Sequence, residues 1–230
     1  MTVLDEWLLT AARAAIHLPS AAAVVADVHL GYGEARRRGG DAVPLADAGA
    51  ALAPLLPLVG RHALRRLVIA GDIFEAGARE ELVDALVNWC KTAGLALALV
   101  PGNHDRGMNK VGQRLPLHPD GVTLGRWRVV HGDEALPAGA VVQGHEHPCA
   151  RWSRRVGVPC FLVSANRLIL PAFSCDAAGV NVLGDPRWAK FRCHVITGER
   201  VLDFGEVKVL AARMKNDLPS PRDSRARGRG

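Results

Sequence analysis

The stretch Val100-Pro101-Gly102-Asn103-His104-Asp105 places an amide, an imidazole and a carboxylate directly after an apolar run, Leu95 to Val100. These residue types ligate metals or move protons, and a Pro-Gly break after an apolar run reads as a buried strand delivering polar side chains to a rim. Four other apolar runs end in the same way. Val24-Val25-Ala26 leads into Asp27-Val28-His29, and Leu67 to Ala70 into Gly71-Asp72. Val129-Val130 leads into His131-Gly132-Asp133, and Val141-Val142 into Gly144-His145-Glu146-His147. Residues two apart in an extended segment share a face, so Asp27 with His29, and His145 with His147, are each expected to point as a pair into one pocket.

Stepping from these residues to their supports, the first half of the chain alternates strands with helices. Trp7 to Thr10 and Ala14 to Leu18 read as short strands before Ala22 to Ala26. Leu45 to Val59 reads as a helix broken by Pro54 and Pro57. Glu80 to Ala93 reads as an amphipathic helix with Leu82, Leu86, Trp89 and Ala93 on its buried stripe and Gly94 as its stop. Glu34 to Gly40, with Arg36, Arg37 and Arg38, reads as a loop, and its guanidinium groups suit phosphate clamping. Past His147 the pattern becomes a run of strands: Arg151 to Val156, Cys160 to Ser164, Arg167 to Leu170, Phe191 to Ile196 and Arg200 to Phe204. Strands that alternate with helices and each end in a polar residue are the grammar of βαβ units, whose sites lie at the strand ends. The expected fold class is α/β (α+β), with two mixed sheets face to face and helices outside.

At 230 residues the chain suits one domain, expected over residues 1–212. The net charge of +6 is concentrated in residues 213–230, whose six Lys or Arg and two Asp give +4 and leave +2 for the rest. That basic segment, rich in Pro, Ser and Gly, is expected to be a disordered tail. No apolar stretch reaches the roughly 18 to 20 residues of a membrane span, and the start, Met1 to Glu6, is acidic, so a cytoplasmic protein with no membrane partner is expected. The five cysteines, Cys90, Cys149, Cys160, Cys175 and Cys193, form no Cys-x-x-Cys pair, which argues against a disulfide framework or a thiolate zinc site.

Taken in order, Asp-x-His, Gly-Asp, Gly-Asn-His-Asp, His-Gly and Gly-His-x-His resemble the calcineurin-like metallophosphoesterases, over roughly residues 22–150. Ala26 to Gly31, Arg37-Arg38-Gly39 before Val43-Pro44, and Pro159-Cys160-Phe161 followed by Arg167 to Phe173 are similar to the bacterial DNA-ligase-associated phosphoesterases, and uncharacterised archaeal relatives are similar too. The resemblance implies a four-layer α/β/β/α sandwich and a site for two divalent metal ions. Asp27, His29 and His147 would hold the first, Asn103, His131 and His145 the second, and Asp72 would bridge them. A nitrogen and oxygen donor set with several imidazoles favours Mn, Fe, Zn or Ni over Mg or Ca, and Mn is the expected ion. His104, left free by this scheme, is the expected general acid. Asp105 either orients His104 or forms an ion pair with Arg106. The function implied is a two-metal phosphodiesterase or nuclease acting on single-stranded or nicked DNA, beside DNA-repair proteins, with Arg36, Arg37, Arg38 and Arg106 expected to hold the substrate. The alternatives are a hydrolase of a small or cyclic nucleotide or another small phosphate ester, and a non-catalytic scaffold, against which every expected ligand position is filled.

Overall fold

The computed structural model describes residues 2–45, 47–108, 114–152 and 157–216. Its first sheet is built in sequence order from β1 (Thr2–Leu4), β2 (Trp7–Leu9), β3 (Ala15–His17), β4 (Ala22–Val25), β5 (Arg66–Ala70) and β6 (Ala96–Val100). The first four run antiparallel to their neighbours, whereas β4, β5 and β6 are parallel. Along the parallel strands the side chains alternate between two cores, as the pleat requires. Ala23, Val25, Leu67, Ile69 and Leu99 face the helices, while Val24, Ala26, Val68, Ala70, Ala98 and Val100 face the second sheet. Burial on both faces is why these strands read as continuous apolar runs.

The helices over the outer face are α1 (Tyr32–Arg38), α2 (Ala48–Leu52), α3 (Leu56–Arg61) and α4 (Glu80–Thr92). Asp47 caps α2 by accepting from the Ala50 N–H at 2.7 Å. The expected helix from Leu45 to Val59 is divided by a 3-10 turn at Ala53–Leu55, at the first of its two prolines. On α4 the fully buried residues are Val83, Leu86 and Cys90. Trp89 is only partly buried against that core, so the buried stripe lies one residue away from the expected Leu82, Leu86, Trp89 and Ala93. The Arg36 to Arg38 cluster, expected in a loop, forms the last turn of α1, where its charge complements the helix dipole.

The strands of the second sheet are β7 (Val122–Leu124), β8 (Trp127–Val130), β9 (Ala140–Gln143), β10 (Pro148–Ala150), β11 (Val158–Val163), β12 (Arg167–Ile169), β13 (Val180–Asn181), β14 (Arg192–Thr197) and β15 (Arg200–Glu206). They run in the order β13-β10-β11-β12-β9-β8-β7, with β14 branching from β11 and β15 pairing with β14. Trp127, Val129, Val142, Phe161 and Leu168 meet the first sheet. On its other face Leu162, Ile169, Trp188 and Val195 pack under α5 (Val207–Asn216) through Val207 and Leu210. The result is the expected sandwich of two mixed sheets. The helix α5 was not anticipated, because Lys208, Arg213 and Lys215 make it read as the beginning of the basic tail. It carries past residue 212, and the rest of the expected tail, 217–230, lies outside the described residues. So do residues 153–156 of the expected strand Arg151 to Val156; the strand formed there is β10, just before it. Among the described residues no helix is long and apolar enough to cross a membrane. All five cysteines are free, and all but Cys175 are buried.

Candidate metal centre

Five loops converge at one edge of the sandwich, and each follows the C-terminal end of a parallel strand: β4, β5 and β6 in the first sheet, β8 and β9 in the second. They bring together all seven residues expected as ligands. Asp27, His29, Asp72 and His147 offer atoms that all lie within 4.8 Å of one another, and so do Asp72, His131 and His145. Asn103 joins the second group through its Oδ1, 3.1 Å from His131 Nε2. Asp72 belongs to both groups. Its Oδ2 lies 4.0 Å from His29 Nε2 and its Oδ1 3.5 Å from His131 Nε2, so the two carboxylate oxygens face different clusters.

Strand alternation does not explain this convergence. β4 ends at Val25 and β9 at Gln143, before the residues concerned. Asp27, His29, Asp72, His145 and His147 instead all adopt positive φ, between 42° and 66°. Such values are uncommon for residues with a side chain, and strained backbone of this kind clusters at functional sites. Two glycines make room. A Cβ on Gly71, whose φ is +81°, would lie 2.0 Å from His131 Nδ1, and one on Gly102 would lie 2.5 Å from Asp72 Oδ1.

Hydrogen bonds fix which nitrogen two of the rings present. His147 Nδ1 lies 3.1 Å from the Ala178 carbonyl oxygen; a carbonyl only accepts, so this Nδ1 carries the proton. His29 Nδ1 likewise donates to Glu75 Oε2 at 2.7 Å. In both rings Nε2 is left facing the cluster, whereas His131 has an acceptor oxygen beside each nitrogen, the Ala70 carbonyl 3.2 Å from Nδ1 and Asn103 Oδ1 3.1 Å from Nε2. The Nε2 atoms of His29 and His147 are buried without a hydrogen-bond partner. His147 Nε2 lies 3.3 Å from Asp27 Oδ1. Burial disfavours the charged form of His147, but the Asp27 carboxylate facing Nε2 and the Ala178 carbonyl outweigh it and raise the pKa.

Electrostatics points the same way. Asp27 is 0% exposed and Asp72 3%, and among the described residues neither makes an ion pair with a lysine or arginine. Two buried carboxylates facing orphaned imidazole nitrogens are costly without cations between them. The donor set therefore fits divalent metal.

His104 stands beside this set. Its side chain is exposed, its ring centroid is 5.5 Å from that of His29, and its backbone N–H donates to Asp72 Oδ1 at 3.0 Å. Asp105 has neither of the roles expected of it. Its Oδ1 accepts from the Ile73 and Phe74 N–H groups at 2.9 and 3.0 Å, and its Oδ2 from Gly102 N–H at 2.8 Å, so it ties the Asp72 loop to the Asn103 loop. Burial above all pushes its pKa up to about 6, the nearby Asp72 charge adds to that, and the three N–H donors oppose it.

Three of the four expected substrate arginines bond within their own segment. Arg36 pairs with Asp41 at 2.8 Å, Arg37 Nε donates to the Val43 carbonyl at 2.7 Å and Arg38 Nε to that of Glu34 at 3.4 Å. Arg106 is exposed, and its carbonyl accepts from Ala78 N–H. Glu75 is the residue that sequence reasoning missed. The signal was present, a lone carboxylate after the apolar pair Ile73-Phe74 and three residues past Asp72.

No family model and no curated protein matches the chain. Among solved structures it is similar to the Pseudomonas putida nuclease MPE, with a TM-score of 0.67 and 25% identity, over 86% of this chain and 94% of that one. The likeness spans nearly the whole of both chains.

Proposed function

We propose that this chain is a two-metal phosphodiesterase that cuts nucleic acid, with single-stranded or nicked DNA as its substrate. The observation that carries the reading is the pair of buried Asp/His clusters sharing Asp72. The likeness to a solved nuclease supports it independently. Divalent cations bound there would supply Lewis-acid polarisation of a phosphoryl oxygen and a water that ionises near neutral pH. Asp27, His29 and His147 would hold the first and Asn103, His131 and His145 the second, with Asp72 belonging to both groups; Mn is the proposed ion.

The protein's own residues do the rest. Glu75 and the Ala178 carbonyl hold His29 and His147 with Nε2 inward, and the Ala70 carbonyl steadies the ring of His131. His104, exposed beside the first cluster, donates a proton to the departing alkoxide. Asp105 holds the loop that carries Asn103 and His104 against the loop that carries Asp72. A role in DNA repair, with repair proteins as partners in the cytoplasm, belongs to this proposal and rests on the sequence resemblance.

A small or cyclic nucleotide is the second reading. One observation favours it: Arg36, Arg37 and Arg38 are engaged by their own segment and form no ready basic groove. The test is hydrolysis of single-stranded DNA, nicked duplex, a 2′,3′-cyclic nucleotide and bis-p-nitrophenyl phosphate, with Mn, Fe, Zn and Ni in turn. Cleavage of DNA at low salt with Mn is expected. Hydrolysis of the cyclic nucleotide with no cleavage or binding of DNA would replace the first reading by the second.

A further inference from the structure

A cavity of about 340 Å³ opens beside the first cluster, between α1, α2 and the loop Phe173 to Asp176. Its walls are mostly apolar, with Val28, Tyr32, Pro44, Ala50, Pro54 and Phe173 among them, and His29 forms part of one wall. Whatever fills it therefore lies next to the group held at the metal centre. Arg13 stands at the edge of this cavity and also lines a smaller one, of about 220 Å³, that includes His147. Its Nη1 donates to the carbonyls of Ala172 and Ser174 at 3.1 and 2.7 Å. Among the described residues it makes no ion pair, which leaves Nε and Nη2 for an anion. Asp176 is the one carboxylate on the lining, and it is exposed.

We infer that this cavity is a nucleoside subsite, seating the unpaired base beside the scissile phosphate while Arg13 binds a phosphate oxygen of the same nucleotide. The inference rests on the phosphodiesterase reading above and adds to it the part of the substrate that is recognised. A pocket of this size and lining suits a flat heteroaromatic ring, with Tyr32 and Phe173 as ring-bearing walls. A guanidinium fixed by two backbone carbonyls and free of carboxylates is a preorganised phosphate donor. A base seated in this cavity has left its stack, so one in a duplex has to be extruded first, at a cost in unpairing and unstacking. Preference for single strands follows from that cost, without a basic groove.

The test compares two small diesters on the Mn-loaded protein, thymidine 5′-(p-nitrophenyl phosphate) and methyl p-nitrophenyl phosphate, which share a leaving group and differ in the nucleoside. The subsite predicts that kcat/KM favours the nucleoside ester by about 10-fold or more, the weight of one well-seated base. Ala50 is exposed at the lip of the cavity, so Ala50→Phe fills it from the solvent side and should bring the ratio close to one. Tyr32→Ala, which opens the cavity, should lower the ratio as well and serves if Ala50→Phe does not fold. Arg13→Gln should raise KM for the nucleoside ester far more than it lowers kcat, with Arg13→Lys recovering part of the loss. A wild-type ratio near one, or a high ratio that survives in folded Ala50→Phe and Tyr32→Ala, would overturn the subsite while leaving the phosphodiesterase reading standing. If the wild type cleaves neither diester nor DNA with any of the four metals, the phosphodiesterase reading fails and the subsite fails with it.

Discussion

Replacing Glu75 by Gln should separate the two proposed metal positions. In the wild type the carboxylate can only accept, so the His29 ring keeps its proton on Nδ1, 2.7 Å away, and turns the Nε2 lone pair inward. A Gln side chain can accept or donate at the same place, so it no longer dictates the tautomer, and the negative charge that raises the basicity of the ring is gone. Loss of such an outer partner typically costs 10- to 100-fold in metal affinity, or about 1.4 to 2.7 kcal/mol. That cost should fall on the first position alone. The second position draws on His131, whose Nδ1 is held by the Ala70 carbonyl, and on Asn103 and His145, none of which touches Glu75. Calorimetric titration of metal-free protein with Mn should therefore show two steps in Glu75→Gln, one near its wild-type affinity and one weakened by that factor. Equal weakening of both steps, or of neither, would refute the assignment of Glu75 to His29.

Gly71→Ala should cost roughly 2 kcal/mol or more, from a side chain at φ +81° and a Cβ 2.0 Å from His131 Nδ1. A thermal midpoint and a Mn stoichiometry equal to wild type would count against the packing described. Asp105 should govern a pH response in the metal-free protein. Its folded pKa of about 6 lies above the unfolded value near 3.9, so its contribution is fully present below about pH 4 and is lost, on the order of 3 kcal/mol, as pH rises through 6. Denaturant titrations across that range should show wild-type stability falling relative to Asp105→Asn, and parallel curves would refute the shift. His104→Ala should slow alkyl diesters by about 10²- to 10⁴-fold and p-nitrophenyl esters much less, with metal binding intact. Equal slowing on both would exclude proton donation.

The layers, and the gathering of the polar residues at one sheet edge, were legible because both are written locally. Apolar runs buried on both faces announce β4, β5 and β6, and a polar residue directly after each run announces a strand-end site. What sequence reasoning got wrong were matters of backbone conformation and of partner choice across space. Asp27 and His29 look like an extended i, i+2 pair, yet each takes a left-handed conformation that no propensity favours and only the assembled loops can impose. Asp105 follows His104 and so invites a partnership with it, whereas its carboxylate reaches the backbone of residues 73 and 74, more than thirty positions earlier. Arg36 and Arg37 of α1 look free in sequence because Asp41 and the Val43 carbonyl come only after the helix has ended. On α4 the buried stripe is displaced because Val83 and Cys90, rather than the larger Trp89, point most directly at the sheet.

The central claim is that two cations share Asp72, and anomalous diffraction at the Mn edge from crystals grown with Mn tests it most directly. Two peaks are predicted, one against Asp27, His29 and His147 and the other against Asn103, His131 and His145, roughly 3.5 to 4 Å apart and both touching Asp72. A single peak at saturating Mn, or two peaks of which one does not touch Asp72, would contradict the account.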